Sequence, residues 1–348
     1  MEKQVVGGDD SLNLIPIKYQ YAYEFYQNGK KNFWIPQEIP VGEDIMSFRH
    51  KLTEAEKHVF THVFAQLSTM DIGATDVVVQ IAHALTSPEH KMALATQAFQ
   101  EAVHSESYAY CAEHIGMDEE WLWSRWKDVP AIKAKIDFTM EVLGNDNYPL
   151  IYKYFFLAVI FESTWFMCGF NPIFALARAG KVKQVAEMLG YIARDEQQHV
   201  HLGISSINSI IEETNLDREG LAEGFSELAN KAYLLEKDYI EFIFSEGNYM
   251  GYSIDEHLAH ITFRLNRGFT QLRLNKENLS LYHKSREPSW IGELLMLRRE
   301  GIIFEVKSSE YQKTQLQWDD KPTKEVPGID IPTGKYPDYS CDDHSCCE

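Results

Sequence analysis

The alternation of apolar and polar positions along the chain predicts long amphipathic helices. From Thr53 to about Leu85, apolar residues recur every three to four positions, which is the spacing of one helix face. The segment opens with Thr53-Glu54-Ala55-Glu56, which has the form of a capping box, where two side chains satisfy the first free backbone amides. We therefore predict a long helix that ends near Leu85.

Helix stop and start signals predict the elements that follow. Ser87-Pro88 is typical of a helix start, because proline suits the first helical position, and this second helix should end near Gly116. Strand-like alternation is scarce, so we predict one all-α domain of about eight long helices. The further predicted helices cover 118–143 with a break before Pro130, 149–179 with a stop at Gly180, 181–214, 219–245 and 253–273.

The last part of the chain has a different composition. Beyond about residue 317 it is acidic and poor in aliphatic residues, and it carries regularly spaced prolines. We predict a flexible N-terminus over 1–14, one helical domain over 15–300 and a flexible acidic tail over 301–348. Cys341, Cys346 and Cys347 crowd the end of this tail in a pattern that does not form a disulfide framework.

Charge and hydrophobicity exclude some functions. The formal net charge of −19 argues against a nucleic-acid ligand, because phosphate binding needs clustered lysines and arginines. The start of the chain lacks the basic and apolar regions of a signal peptide, which predicts a cytoplasmic protein. The most apolar stretch, 155–170, contains Glu162 near its centre, so we interpret it as a buried helix and predict no membrane association.

One short motif, Glu-x-x-His, occurs twice within predicted helices. It is found at Glu101-Ala102-Val103-His104 and again at Glu196-Gln197-Gln198-His199. Residues three apart share a helix face, so each pair can offer a carboxylate and an imidazole to one metal ion. Two such helices can hold two ions if two further helices supply carboxylates.

The chain offers those carboxylates at Asp71 and Glu162. Each lies on an otherwise apolar helix face, and ionised carboxylates are rarely buried unless they are paired or bind metal. Taken alone, either Glu-x-x-His motif is typical of a solvated pair, and Asp71 could be an ordinary hydrogen-bonding residue. The combination of all four elements in helical order favours two metal ions per chain.

A tyrosine stands beside these candidate ligands. Tyr108 follows His104 by four positions and therefore lies one turn away on the same helix face. Phe166, Phe170 and Ile192, at helical spacing from other candidate ligands, would form a dry wall around it. Ordinary core packing explains those apolar residues equally well, but it does not explain a tyrosine next to the ligands.

The two motif segments resemble the signature helices of the small, radical-generating subunit of class I ribonucleotide reductase. The matching residues are Gln100-Glu101-Ala102-Val103-His104-Ser105-Glu106-Ser107-Tyr108 and Ile192-Ala193-Arg194-Asp195-Glu196-Gln197-Gln198-His199. The resemblance implies a ferritin-like helical bundle with a di-metal carboxylate site in its core, in which Asp71, Glu101 and His104 bind one metal. It implies that Glu162, Glu196 and His199 bind the other. Tyr108 falls at the radical-bearing position, which with Asp71 favours two irons over a manganese–iron or dimanganese centre.

The resemblance also implies a radical path and partners. Trp34 is similar to the electron-transfer tryptophan of the family, Asp195 to the acid that links it to His104, and Tyr311 to the tail tyrosine that passes the radical onward. Tyr336 and Tyr339 compete with Tyr311 for that role. The implied partners are a large (alpha) subunit, required for activity, a second copy of the chain in a homodimer, and dioxygen as the activating oxidant.

The implied enzyme is ribonucleoside-diphosphate reductase, and two other functions stay open on the residues alone. This chain has no nucleotide-binding motif, so substrate reduction would occur on the large subunit. A di-metal oxidase or monooxygenase of the same fold would use the ligands without Trp34 and Tyr311. A ferritin-type iron-binding protein would be shorter and would not need Tyr108.

Overall fold

Helices make up most of the part of the chain that the structure describes. This computed structural model describes residues 12–145, 147–247, 251–277, 279 and 285–291, and it has no β-strand within these ranges. The principal helical segments are α1 (Gln20–Lys31), α2 (Glu54–Ala84), α3 (Pro88–Ile115), α4 (Pro130–Leu143), α5 (Leu150–Arg178), α6 (Lys183–Thr214), α7 (Arg218–Ile243) and α8 (Ile254–Gln271). The predicted all-α bundle is confirmed. Tyr311, the tail cysteines and nearly all of 1–14 lie outside the described residues.

Short helical turns fill several connections. They cover Pro36–Glu38, Val41–Asp44, Ile45–His50, Glu119–Ser124 and Arg125–Lys127. The last two precede α4, so the predicted interruption before Pro130 is confirmed.

The predicted helix ends of α2 and α3 are present at the atomic level. The hydroxyl of Thr53 accepts from the Glu56 amide at 3.3 Å, and the Glu56 carboxylate accepts from the Thr53 amide at 2.7 Å. Ser87 caps α3 by accepting from the His90 amide, with Pro88 in the first helical position. Gly116 ends α3 with a φ of 76°, a left-handed conformation that glycine adopts at little cost. These local signals fix where α2 and α3 begin and end.

Helix α1 was not predicted from the sequence. Tyr19 at its N-terminus makes no side-chain cap, and only Ala22 and Phe25 of the helix are buried. The helix packs on α3 and α6, so its conformation depends on tertiary contacts rather than on a strong signal of its own.

Helix α5 is the central element of the core. Its length and the mean hydropathy of 1.3 in its most apolar 18-residue window would suit a membrane span, but 94% of that window is buried inside the protein. It is therefore a buried core helix, as predicted, and burial rather than length supports that interpretation. Within it, Phe156–Phe166 forms a π-helix, a wider turn that carries Glu162. It packs against α6 and α8.

Candidate metal centre

All six predicted metal ligands meet in the core of the bundle. Asp71 projects from α2, Glu101 and His104 from α3, Glu162 from α5, and Glu196 and His199 from α6. Each is at most 1% exposed. The spacing of three residues in each Glu-x-x-His motif places both side chains on the inner helix face.

The ligand atoms form two groups that share one residue. Asp71, Glu101 and His104 form one group, and Glu101 also belongs to the second, with Glu162, Glu196 and His199. Within each group the candidate ligand atoms lie within 4.8 Å of one another. The arrangement would suit two metal ions, and Glu101 could contribute to holding both.

The buried atoms that face this centre are those that metal ions would engage. Both oxygens of Asp71, Glu101 and Glu196 are buried without a hydrogen-bond partner among the described residues, as are one oxygen of Glu162 and Nδ1 of each histidine. Buried carboxylate oxygens without partners are costly, and four carboxylates in one dry cavity repel one another. Two divalent cations would balance this charge, so the residues fit a di-metal site.

The pKa shifts of the cluster express the same crowding. Burial, followed by repulsion from Glu101, raises the pKa of Asp71 well above its usual range. Burial also raises the pKa of Glu162. Burial alone would raise the pKa of Glu101, but the neighbouring His199 and His104 lower it to about 2. Glu101, which belongs to both groups, is thus held in its charged form.

Each ligand histidine has a different polar partner behind it. Nδ1 of His104 lies 3.2 Å from Glu196, and its Nε2 lies 3.6 Å from a carboxylate oxygen of Asp195. Nε2 of His199 donates instead to the side-chain oxygen of Gln100 at 3.0 Å. Because Nε2 of each ring contacts Asp195 or Gln100, Nδ1 of each ring faces the candidate metal positions. Such contacts fix the orientation of a ligand imidazole.

Two glutamines near the ligands were not predicted. Gln97 donates to Glu162 at 2.6 Å, and Gln100 receives the bond from His199. Both are buried, at 1% and 7% exposure. Gln97 lies four positions before Glu101 on α3 and therefore shares its helix face, so helical spacing could have indicated it. Gln100 directly precedes Glu101, and spacing gives no such signal for it.

Trp34 and Asp195 form a buried link to His104. The indole Nε1 of Trp34 donates to Asp195 at 2.7 Å, and the Trp34 and His104 rings stack with centroids 6.4 Å apart. Trp34 is 4% exposed, and Asp195 is fully buried. Arg194 donates to the second oxygen of Asp195 and to the backbone oxygen of Asn32, which secures the segment before Trp34. Arg194 was not singled out from the sequence.

Tyr108 lies in the dry region next to Asp71. Its hydroxyl is buried and makes no hydrogen bond to the described residues by distance and angle. Burial and then the charge of Asp71 raise the pKa of Tyr108 well above its usual range, so it remains a neutral phenol. The predicted wall residues Phe166, Phe170 and Ile192 are all buried. The ring that packs edge-on against Tyr108 is Phe64, at 5.9 Å.

Comparison with known proteins shows which family this chain belongs to. Residues 11–285 match the model of the family described as ribonucleotide reductase, small chain. The chain belongs to this family. A ribonucleoside-diphosphate reductase subunit beta of Chlamydia pneumoniae is 31% identical over 332 residues, covering 89% of this chain and 92% of the relative. The chain is thus a beta subunit of ribonucleoside-diphosphate reductase, an oxidoreductase whose small chain works with a large subunit.

Solved structures of the family share this fold. A protein of Bacillus halodurans described as a putative class I ribonucleotide reductase aligns with a TM-score of 0.73 and 27% identity, covering 79% of this chain and 99% of that one. The dimanganese(II)-NrdF of Streptococcus sanguinis aligns with a TM-score of 0.66 and 21% identity, covering 76% and 92%. The family match favours the reductase over the oxidase and ferritin-type alternatives.

Proposed function

We propose that this subunit uses two metal ions and dioxygen to oxidise Tyr108, and that the resulting tyrosyl radical starts ribonucleotide reduction on the large subunit. The observation that carries the proposal is a buried tyrosine beside six convergent ligands, with Asp71 close enough to raise its pKa. Two bound ions would supply the oxidising chemistry, and the residues supply geometry and dryness. We propose iron in both positions, with manganese–iron and dimanganese centres as alternatives.

In this proposal, Asp71, Glu101 and His104 hold the metal nearer Tyr108, and Glu162, Glu196 and His199 hold the other. Glu101 joins the two positions because it belongs to both ligand groups. Tyr108 would give an electron to the oxidised centre and its phenolic proton to the neighbouring Asp71 carboxylate, and the apolar surroundings would keep water and reductants away from the product. Full burial of the ring supports this role.

The radical path would run from the centre to the large subunit through His104, Asp195, Trp34 and Tyr311. The hydrogen bond from Trp34 to Asp195 and the 3.6 Å contact from Asp195 to His104 support the first steps. Arg194 would keep Asp195 charged and in place, since the pKa of that buried carboxylate is lowered by His104 and Arg194. We propose Tyr311 as the last residue of the path within this chain.

We further propose that the subunit works in the cytoplasm as a homodimer with the large subunit. Ile72 and Val79 of α2 are 55% and 42% exposed, and Phe33 and Phe99 form an exposed stacked pair at 58% and 51%. Large apolar side chains at the surface are typical of protein interfaces. They therefore support contact with a second copy.

Electron paramagnetic resonance with metal quantification tests the proposal. Protein freed of metal is reconstituted with ferrous iron and air, and we expect about two irons per chain together with a tyrosyl signal. Tyr108→Phe should keep the metal content and lose both the signal and reductase activity.

A matched control is Tyr154→Phe, which alters another fully buried tyrosine of the core. We expect this variant to retain the signal. Full activity in Tyr108→Phe would reject the tyrosyl-radical assignment, and bound iron without any organic radical would favour manganese or the oxidase function.

A further inference from the structure

A second buried polar network lies among α4, α7, α8 and the start of the Asn171–Arg178 part of α5. Lys135 forms an ion pair with Glu236, whose other oxygen lies 2.7 Å from Nε2 of His257. Nδ1 of His257 lies 2.9 Å from the hydroxyl of Tyr252, to which Asn171 donates at 3.0 Å. All five residues are at most 2% exposed. None belongs to the metal centre or to the proposed radical path.

One set of proton positions satisfies every hydrogen bond of this network. Burial would raise the pKa of Glu236, but Lys135 and His257 lower it, so Glu236 is an ionised acceptor. Nε2 of His257 must then carry the proton that it donates to Glu236, and Nδ1 presents a lone pair. Asn171 donates to the Tyr252 oxygen, which leaves the phenolic proton of Tyr252 for Nδ1. Tyr252 is therefore bonded to a base that is itself backed by a carboxylate.

A phenol loses an electron more easily when its proton can move at the same time to a bonded base. We propose that Tyr252 is a second redox-active tyrosine of this chain. One electron leaves Tyr252 for an outer-sphere metal complex such as a ruthenium(III) polypyridyl, which is reduced to ruthenium(II); the O–H bond breaks, and a new N–H bond forms at Nδ1 of His257. Glu236 lies next to the imidazolium cation that results, and Asn171 continues to donate to the phenoxyl oxygen.

The surroundings favour Tyr252 over neighbouring rings. Nζ of Lys135 lies 4.5 Å from the ring centre of Trp165, and a cation so close opposes removal of an electron from that indole. Tyr154 is equally buried, but its hydroxyl lacks a hydrogen-bond partner among the described residues. The Trp290 ring packs edge-on against Tyr252 at 5.8 Å, but the Arg178 guanidinium lies 5.4 Å from its ring centre and opposes removal of an electron from this indole too.

The test uses the full chain without metal, so that its result does not depend on the proposed function of the metal centre. Photochemically generated ruthenium(III) tris-bipyridine serves as the one-electron oxidant, and the frozen sample is measured by electron paramagnetic resonance. Exposed tyrosyl radicals decay quickly, whereas a radical at Tyr252 should persist because the site is dry. Ring-deuterated tyrosine identifies the persistent signal as tyrosyl.

We expect Tyr252→Phe to lose the persistent signal and the matched variant Tyr154→Phe to retain it. His257→Gln keeps a hydrogen-bond partner for Tyr252 but removes the proton acceptor, so the yield of persistent radical should also fall. A purely structural Tyr252 would change the unfolding temperature alone. A persistent tyrosyl signal of unchanged yield in folded Tyr252→Phe would overturn the proposal, as would its absence from the unaltered chain.

A second measurement does not depend on the folding of any variant. In deuterated water, the phenoxyl oxygen of Tyr252 should show magnetic coupling to exchangeable deuterons supplied by His257 and Asn171. We expect these couplings in electron-nuclear double resonance spectra of the unaltered chain. A persistent radical without them would place it elsewhere and overturn the proposal.

Discussion

The two ligand histidines differ in what lies behind them, and this difference should make the two metal positions unequal. His104 contacts the charged Asp195, whereas His199 donates to the neutral side chain of Gln100. A carboxylate makes the imidazole it contacts a stronger electron donor than an amide does. We therefore expect the position beside His104, which is also the one near Tyr108, to stabilise a higher oxidation state.

At the same scale, Gln97→Leu tests the support of a single ligand. The variant removes the 2.6 Å hydrogen bond to Glu162, which leaves that carboxylate less well oriented. Loss of such a partner lowers metal affinity by about 10- to 100-fold. Competition with a chelator of known affinity measures the change, and Gln80→Leu, which removes a surface bond to Asp76, is the control. Equal affinities in the two variants would contradict the positioning role.

Trp34→Phe tests the first steps of the radical path. It removes the N–H that bonds to Asp195 but keeps an aromatic ring in the buried space. We expect an unchanged metal content and tyrosyl signal, with turnover by the complete enzyme reduced to background. The control Trp126→Phe alters a partly buried tryptophan whose ring makes a cation–π contact with Lys127. Normal turnover in Trp34→Phe would remove this residue from the path.

The sequence could predict the ligands but not all of their supports. Glu101 with His104 and Glu196 with His199 follow from helical spacing, because both members of each pair must share a face. Gln100 and Arg194 act through contacts with residues on other segments, His199 and Asn32. Their partners are fixed by packing between elements, which no local pattern specifies.

At the scale of one element, α2 owes part of its stability to its first turn. Thr53→Ala removes the hydroxyl that accepts from the Glu56 amide, so we expect a loss of about 1 kcal/mol in the free energy of unfolding. Chemical denaturation monitored by circular dichroism measures it. Thr61→Ala is the control, because that hydroxyl bonds within the same helix without capping it, and it should cost less. A smaller loss in Thr53→Ala than in Thr61→Ala would contradict this account.

Helices with strong local ends were predictable, and those shaped by neighbours were not. Thr53 and Ser87 cap α2 and α3 directly, and both starts were predicted correctly. The π-helix of α5 was missed. There Arg264 donates to the backbone oxygen of Ser163 at 2.7 Å, and Thr164 bonds back to Val159, five residues earlier. An apolar run gives no sign of such a wider turn, because it depends on a side chain from α8.

At the scale of the whole molecule, buried neutral histidines should make the fold sensitive to acid. His90 is fully buried, its Nε2 lies 2.9 Å from the Tyr21 hydroxyl, and burial lowers its pKa to about 4. The unfolded chain binds this proton near pH 6.5, so stability falls as the pH drops from about 6.5 toward 4. The contribution is on the order of 3 kcal/mol.

Urea denaturation of metal-free protein at several pH values measures how the free energy of unfolding changes with pH. His90→Gln should flatten part of this slope, because glutamine does not titrate. His201→Gln, which alters an exposed histidine of α6, should leave the slope unchanged. An equal slope in all three proteins would contradict the role of His90.

Asp195 and Glu196 are consecutive residues of α6, one bonded to Trp34 and the other a member of the ligand cluster. Neighbouring residues on a helix point about 100° apart. One turn of α6 therefore directs Asp195 toward Trp34 and Glu196 toward the ligand cluster. Any rotation of α6 that accommodates a metal must also move the acceptor of the indole N–H. The fluorescence of Trp34 should therefore report whether metal ions occupy the centre, because the indole N–H bonds to the residue next to a ligand.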